Sequence, residues 1–96
     1  MNRDEVLSFL RGFKIRHGDR YGIISIGVFG SVARGDIYED SDIDIYVTTR
    51  TPDPFALVHM KDDLEKSLRR HVDIVRIREK MNPFLKKRIE TEGIHV

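Results

Sequence analysis

The sequence predicts a small α/β domain, with a mixed sheet flanked by helices, and three observations carry that prediction. Short apolar runs bounded by turn residues alternate with amphipathic stretches. Two of those stretches open with a capping residue followed by proline, at Asp53-Pro54 and Asn82-Pro83. The 96 residues, 40% hydrophobic and 34% charged, suffice for one compact domain with a thin core. The whole of 1–96 is therefore expected to be a single domain.

The first segment, roughly Arg3 to His17, sets Val6, Leu7, Leu10 and Phe13 at helical spacing, with Gly18 expected to close it. Tyr21 to Phe29 is an apolar, β-branched run and reads as a buried strand. It ends at Gly30-Ser31, where residues 32–35 can form a helical turn; Asp36 to Ser41 is polar and reads as a loop. Ile43 to Val47 alternates strictly, so Ile43, Ile45 and Val47 face a core while Asp42, Asp44 and Tyr46 face the other way. After the turn at Thr51–Pro54, Leu57, Val58, Leu64 and Leu68 define a helix to about Arg69. Val72 to Ile77 is a third strand. A last helix runs through Phe84, Leu85 and Ile89 to Gly93, and Ile94 to Val96 can add an edge strand.

Composition narrows the function. Seventeen basic and 16 acidic residues leave a net charge of +1, with no overall pull towards nucleic acid or membranes. There is no cysteine, which excludes disulfides, thiol catalysis and cysteine-ligated zinc. The N-terminus has neither a signal-peptide pattern nor a membrane span, so the cytoplasm is the expected location.

Chemistry concentrates in the second strand. Asp42 and Asp44 share one face, about 7 Å apart at Cα from strand rise. Like charges that close weaken a fold unless something compensates them, and hard oxygen donors of this kind suit Mg²⁺. Asp73 lies inside the next apolar run, where aspartate is disfavoured. If the second and third strands are neighbours, three carboxylates converge, enough to hold two metal ions for an in-line displacement at phosphorus. Gly30 permits close backbone approach to a phosphate, Ser31 offers a hydroxyl and an N–H, and Arg34 offers positive charge. Arg34 can equally pin the segment by pairing with a carboxylate.

Each feature has a plainer reading. Asp42 and Asp44 can be a solvated strand face. Asp73 can pair with Arg69, Arg70 or Arg76, and Gly30-Ser31 can be an ordinary turn. Tyr46 is expected to be half exposed. Asp36, Glu39 and Asp40 read as solvated loop residues. His17, His59, His71 and His95 lack metal-ligand spacing and read as surface or packing residues. Arg69-Arg70 and the cluster of Lys80, Lys86, Lys87 and Arg88 read as helix faces; without interleaved aromatics, direct nucleic-acid binding is not expected.

Gly30-Ser31, ten residues, then Asp42-Ile43-Asp44 resembles the Gly-Ser…Asp-x-Asp signature of the DNA polymerase beta-like nucleotidyltransferase superfamily. The string GSVARGDIYEDSDIDIYV is similar to the minimal nucleotidyltransferases (MNT proteins) found beside HEPN-domain toxins, and the likeness covers about Gly22 to Ile77. The resemblance implies that Asp42 and Asp44 bind the nucleotide-associated metal, that Asp73 completes a second metal site and helps activate the acceptor hydroxyl, and that Gly30-Ser31 holds the triphosphate. It also implies ATP and Mg²⁺, AMP transfer to a tyrosine of a HEPN toxin, and an antitoxin role. Two alternatives stand beside it: a module that neutralises its partner by binding alone, and an enzyme adenylylating a small molecule. The larger relatives' base- or acceptor-binding domain has no counterpart in these 96 residues.

Overall fold

Helix α1, Arg3–Tyr21, begins with a reciprocal cap. Asn2 Oδ1 accepts the Glu5 N–H at 2.9 Å, and Glu5 Oε1 accepts the Asn2 N–H at 3.2 Å. The computed structural model describes residues 1–37 and 41–96; the middle of the expected Asp36–Ser41 loop lies outside the described residues. Gly18 does not end the helix. A Phe13–His17–Tyr21 ladder of rings four residues apart, with centroids 4.9 and 6.1 Å apart, carries the helix one more turn. Gly22, at φ +67°, then takes the left-handed cap. His17 is accordingly a packing residue, and Tyr21 Oη donates to Asp63 Oδ2 at 2.6 Å.

The remaining elements follow in the expected order. They are β1 (Ile23–Phe29), α2 (Gly30–Ala33), β2 (Ile43–Thr49), α3 (Pro54–Leu68), β3 (Val72–Arg76), α4 (Pro83–Glu92) and β4 (Ile94–His95). Asp53 caps α3 by accepting the Phe55 and Ala56 N–H groups, and Asn82 caps α4 by accepting those of Phe84 and Leu85. The sheet order is β3-β2-β1-β4. β1 is antiparallel to both β2 and β4, whereas β2 and β3 are parallel, with α3 as the crossover.

The two faces of this sheet are unequal. Ile26, Val28, Ile43, Ile45, Val47 and Val72 meet Val6, Leu10 and Phe13 of α1 and Met60, Leu64 and Leu68 of α3 in the main core. On α3 the buried stripe runs through Met60 rather than Val58, which is 66% exposed. Val58 lies one helical step round from Leu57 and falls outside the 3.6-residue stripe. Phe84, in the first turn of α4, is also exposed, at 81%.

The opposite face carries a second, smaller cluster in which Phe29, Tyr46 and Ile89 are buried, with Val75, Ile77, Met81 and Leu85 against them. Tyr46 is thus not half exposed. Helix α4 lies over it, and Gly27 and Gly93 leave room for its ring. A Cβ at Gly27 would fall on Ile94 O, His95 Cα and the Tyr46 ring. Gly27→Ala is therefore expected to lower stability by about 1–3 kcal/mol through overpacking, read as a lower urea midpoint.

Candidate active site

Helix α4 covers only part of its face, and the uncovered part is acidic. Leading into and along β2 the side chains on this face run Asp42, just before the strand, then Asp44 and buried Tyr46; leading into and along β3 they run His71, just before the strand, then Asp73 and Val75. Period-two alternation puts each set on one side, and the parallel register places Asp44 directly beside Asp73. On the other flank Asp44 is the register partner of Phe29, the last residue of β1. The strand ends there and the chain turns at Gly30 into α2, so the Gly30-Ser31 turn adjoins the carboxylates.

Gly30 is required twice over. Its φ is +69°, a left-handed value that side chains disfavour, and a Cβ there would press on the Asp44 carboxylate. Arg3 donates to Ala33 O at 3.1 Å and so ties the start of α1 to the end of α2.

The electrostatics favour a cation. Burial pushes the Asp44 carboxyl above its ordinary value, and the neighbouring charge of Asp73 pushes it further. Arg88 pulls it back, Asp42 raises it again, and Arg34 lowers it. The folded carboxyl therefore holds its proton to a higher pH than the unfolded one. The folded state is the proton-rich one in that window, so this group's contribution to stability declines as pH rises from about 4 through the raised value. Wild type is expected to gain stability relative to Asp44→Asn as pH falls through that window without divalent ions, measured by thermal unfolding of both proteins.

Asp42, Asp44 and Asp73 are brought together as expected, and the donor set fits a hard divalent cation. The ligand atoms of Asp42, Asp73 and His71 all lie within 4.8 Å of one another. Among the described residues, Asp73 has no basic partner at ion-pairing distance. Arg76 Nε donates instead to Thr49 Oγ1 at 2.7 Å, and Arg70 donates to Ser41 O at 3.2 Å. Arg34 is used as a pin, with Nη1 3.1 Å from Glu92 Oε2 at the end of α4 and Nε 3.9 Å from Asp36.

Two residues escaped the sequence reading. Arg88, read there as part of a helix face, stands 5.7 Å over the Phe29 ring and bears on Asp44. Only the packing of α4 across the sheet brings it there, and nothing in the local sequence signals that. His71 had a signal: it precedes Asp73 by two, as Asp42 precedes Asp44.

A glycine turn at a strand end, adjoining three carboxylates carried by neighbouring strands of an α/β domain, is a donor arrangement whose chemistry suits a hard divalent cation. The nucleotidyltransferase domain family model matches residues 10–96, and the chain belongs to that family. It is 38% identical over 95 residues to a Methanocaldococcus jannaschii protein provisionally named a protein adenylyltransferase, covering 96% of this chain and 95% of that one. It is 33% identical over 94 residues to the protein adenylyltransferase MntA of Thermococcus cleftensis, covering 97% and 94%. Among solved structures, one described provisionally as a minimal nucleotidyltransferase superposes with a TM-score of 0.77 at 34% identity, over 98% of this chain and 95% of the other. A toxin–antitoxin structure with AMP-PNP superposes with a TM-score of 0.73 at 26% identity, over 99% and 72%. Among the described residues, no helix is long and apolar enough to cross a membrane.

Proposed function

We propose that this nucleotidyltransferase moves AMP from ATP to a tyrosine hydroxyl of a HEPN-domain toxin in the cytoplasm and thereby acts as its antitoxin, with residues 1–96 working as one domain. The observation that carries this reading is the alignment of Asp42, Asp44 and Asp73 at the open end of the sheet, beside Gly30-Ser31. The protein adenylyltransferase names of its relatives and the AMP-PNP-bound toxin–antitoxin neighbour support the same reading.

Asp42, Asp44 and Asp73 would hold Mg²⁺, two ions in this proposal. When bound, such ions neutralise charge developing on the attacking and leaving oxygens. Gly30 lets the backbone come close to the triphosphate, and Ser31 offers it a hydroxyl and an N–H. Arg88 adds positive charge beside Phe29 and Asp44. Arg34, besides pinning α4, is the second cation near the turn. The tyrosine oxygen attacks the α-phosphorus, the bond to the bridging oxygen breaks, and pyrophosphate leaves opposite. Asp73, exposed on β3, takes the hydroxyl proton. The catalytic effect is one of positioning and electrostatics, with no covalent enzyme intermediate.

The test is to incubate the chain with the co-purifying partner, ATP and Mg²⁺. Intact-mass measurement is expected to show an AMP-sized gain on the partner that Asp42→Ala abolishes. Neutralisation of the partner without ATP, persisting in Asp42→Ala and Asp44→Ala, would replace transfer with simple binding.

A further inference from the structure

We propose that His71 is a nitrogen ligand of the divalent cation held by Asp42 and Asp73. The inference rests on the reading that these carboxylates bind metal, and it enlarges the donor set of the whole site from three carboxylates to three carboxylates and an imidazole.

Three observations carry it. The first is register. Asp44 pairs with Asp73 and Ile43 with Val72, so the parallel ladder continues outwards with His71 beside Asp42, and the Ile43 N–H donates to His71 O at 2.8 Å. The four side chains form a two-by-two array on one face, with Asp44 and Asp73 in the inner row and Asp42 and His71 in the outer. The second is distance: a ring nitrogen of His71 and carboxylate oxygens of Asp42 and Asp73 lie within 4.8 Å of one another.

The third observation comes from outside the cluster. Glu65, on α3, places Oε2 3.3 Å from His71 Nδ1, and the same oxygen accepts the Val72 N–H at 3.0 Å. The backbone contact holds the carboxylate still, and the carboxylate orients the ring. A carboxylate on one imidazole nitrogen is the usual partner of a metal-ligating histidine. It fixes the tautomer, makes the other nitrogen more basic and limits ring rotation. With Nδ1 turned to Glu65, Nε2 is the nitrogen left for the cation. The ring is 69% exposed, so a solvated ion reaches it without rearrangement of the core.

An imidazole changes which ion is preferred. Three carboxylates suit Mg²⁺, whereas a nitrogen donor strengthens binding of first-row transition ions over Mg²⁺. The site is therefore expected to bind Mn²⁺ more tightly than Mg²⁺ by a margin that depends on His71.

The experiment uses Mn²⁺ with inorganic tripolyphosphate, which carries no nitrogen of its own, added to the full chain. Electron spin-echo modulation is expected to show coupling to an imidazole ¹⁴N, which disappears on ¹⁵N-histidine labelling and in His71→Ala. The same substitution is expected to weaken Mn²⁺ binding on the order of 10-fold or more while leaving Mg²⁺ binding within about twofold, since Mg²⁺ keeps to oxygen donors. Glu65→Gln retains an acceptor for the Val72 N–H but loses the charge, and is expected to give an intermediate Mn²⁺ affinity. Mn²⁺ bound by wild type without nitrogen coupling, and bound equally well by His71→Ala, would overturn the role of His71 and leave the aspartate site standing. If wild type binds no Mn²⁺ at all, both readings fall together.

Discussion

Asp44→Asn is expected to lower AMP transfer by at least about 10³-fold while leaving the protein as stable as wild type at neutral pH, or more so. Asparagine keeps the shape and one acceptor oxygen and removes only the charge. Of the three carboxylates, Asp44 is the one partly buried, held between the Gly30 turn and Asp73. Charge stabilisation by a bound metal at phosphorus is worth several kcal/mol, and each 1.36 kcal/mol is a factor of about ten in rate. Stability moves the other way. The folded protein partly buries the Asp44 charge and crowds it against Asp73 and Asp42, and the amide relieves both costs. Intact-mass assay of the partner and calorimetry of the isolated chain measure the two effects together. A variant that keeps activity within tenfold of wild type would remove Asp44 from the reaction.

Gly30→Ala is expected to cost about 2–5 kcal/mol and to abolish nucleotide binding. Two penalties add here. A side chain at a left-handed φ costs about 1–2 kcal/mol, and the new methyl must displace the Asp44 carboxylate or the turn, at about 1–3 kcal/mol. Gly35 separates these penalties. Its φ is +84°, yet no described atom lies within 4 Å of where its Cβ would be. Gly35→Ala should therefore show the backbone cost alone, and nucleotide affinity close to wild type. Urea unfolding gives the stability difference, and titration with a fluorescent ATP analogue gives the affinity. Equal effects at the two glycines would mean that the close approach to Asp44 has no consequence.

Most of the elements were legible in the sequence because their signals are local. Asp53-Pro54 and Asn82-Pro83 mark helix starts by their own chemistry, and strict alternation from Asp42 to Val47 sorts one face of β2 from the other. The carboxylates were legible for the converse reason: aspartate within an apolar strand is a conflict that a ligand, a partner or exposure to water must resolve. What local pattern could not supply was the cover on the second face. The alternation at Tyr46 says only that it points away from Ile45, and whether water or α4 meets it depends on a helix more than 30 residues on. The same helix brings Arg88 to Asp44. The end of α1 was misplaced because two glycines, Gly18 and Gly22, compete for the cap, and the ring ladder through Tyr21 decides between them.

The pairing of Asp44 with Asp73 joins segments that cannot meet through a hairpin. Parallel strands need a crossover, and here α3 supplies it. No fragment ending before residue 72 contains the site, and a one-residue slip of β3 would send Asp73 to the core side and bring Val72 out in its place. On the proposed function, enzymatic competence therefore reports on completed topology, and a chain with its helices formed but its strands misaligned is expected to be inert towards nucleotide.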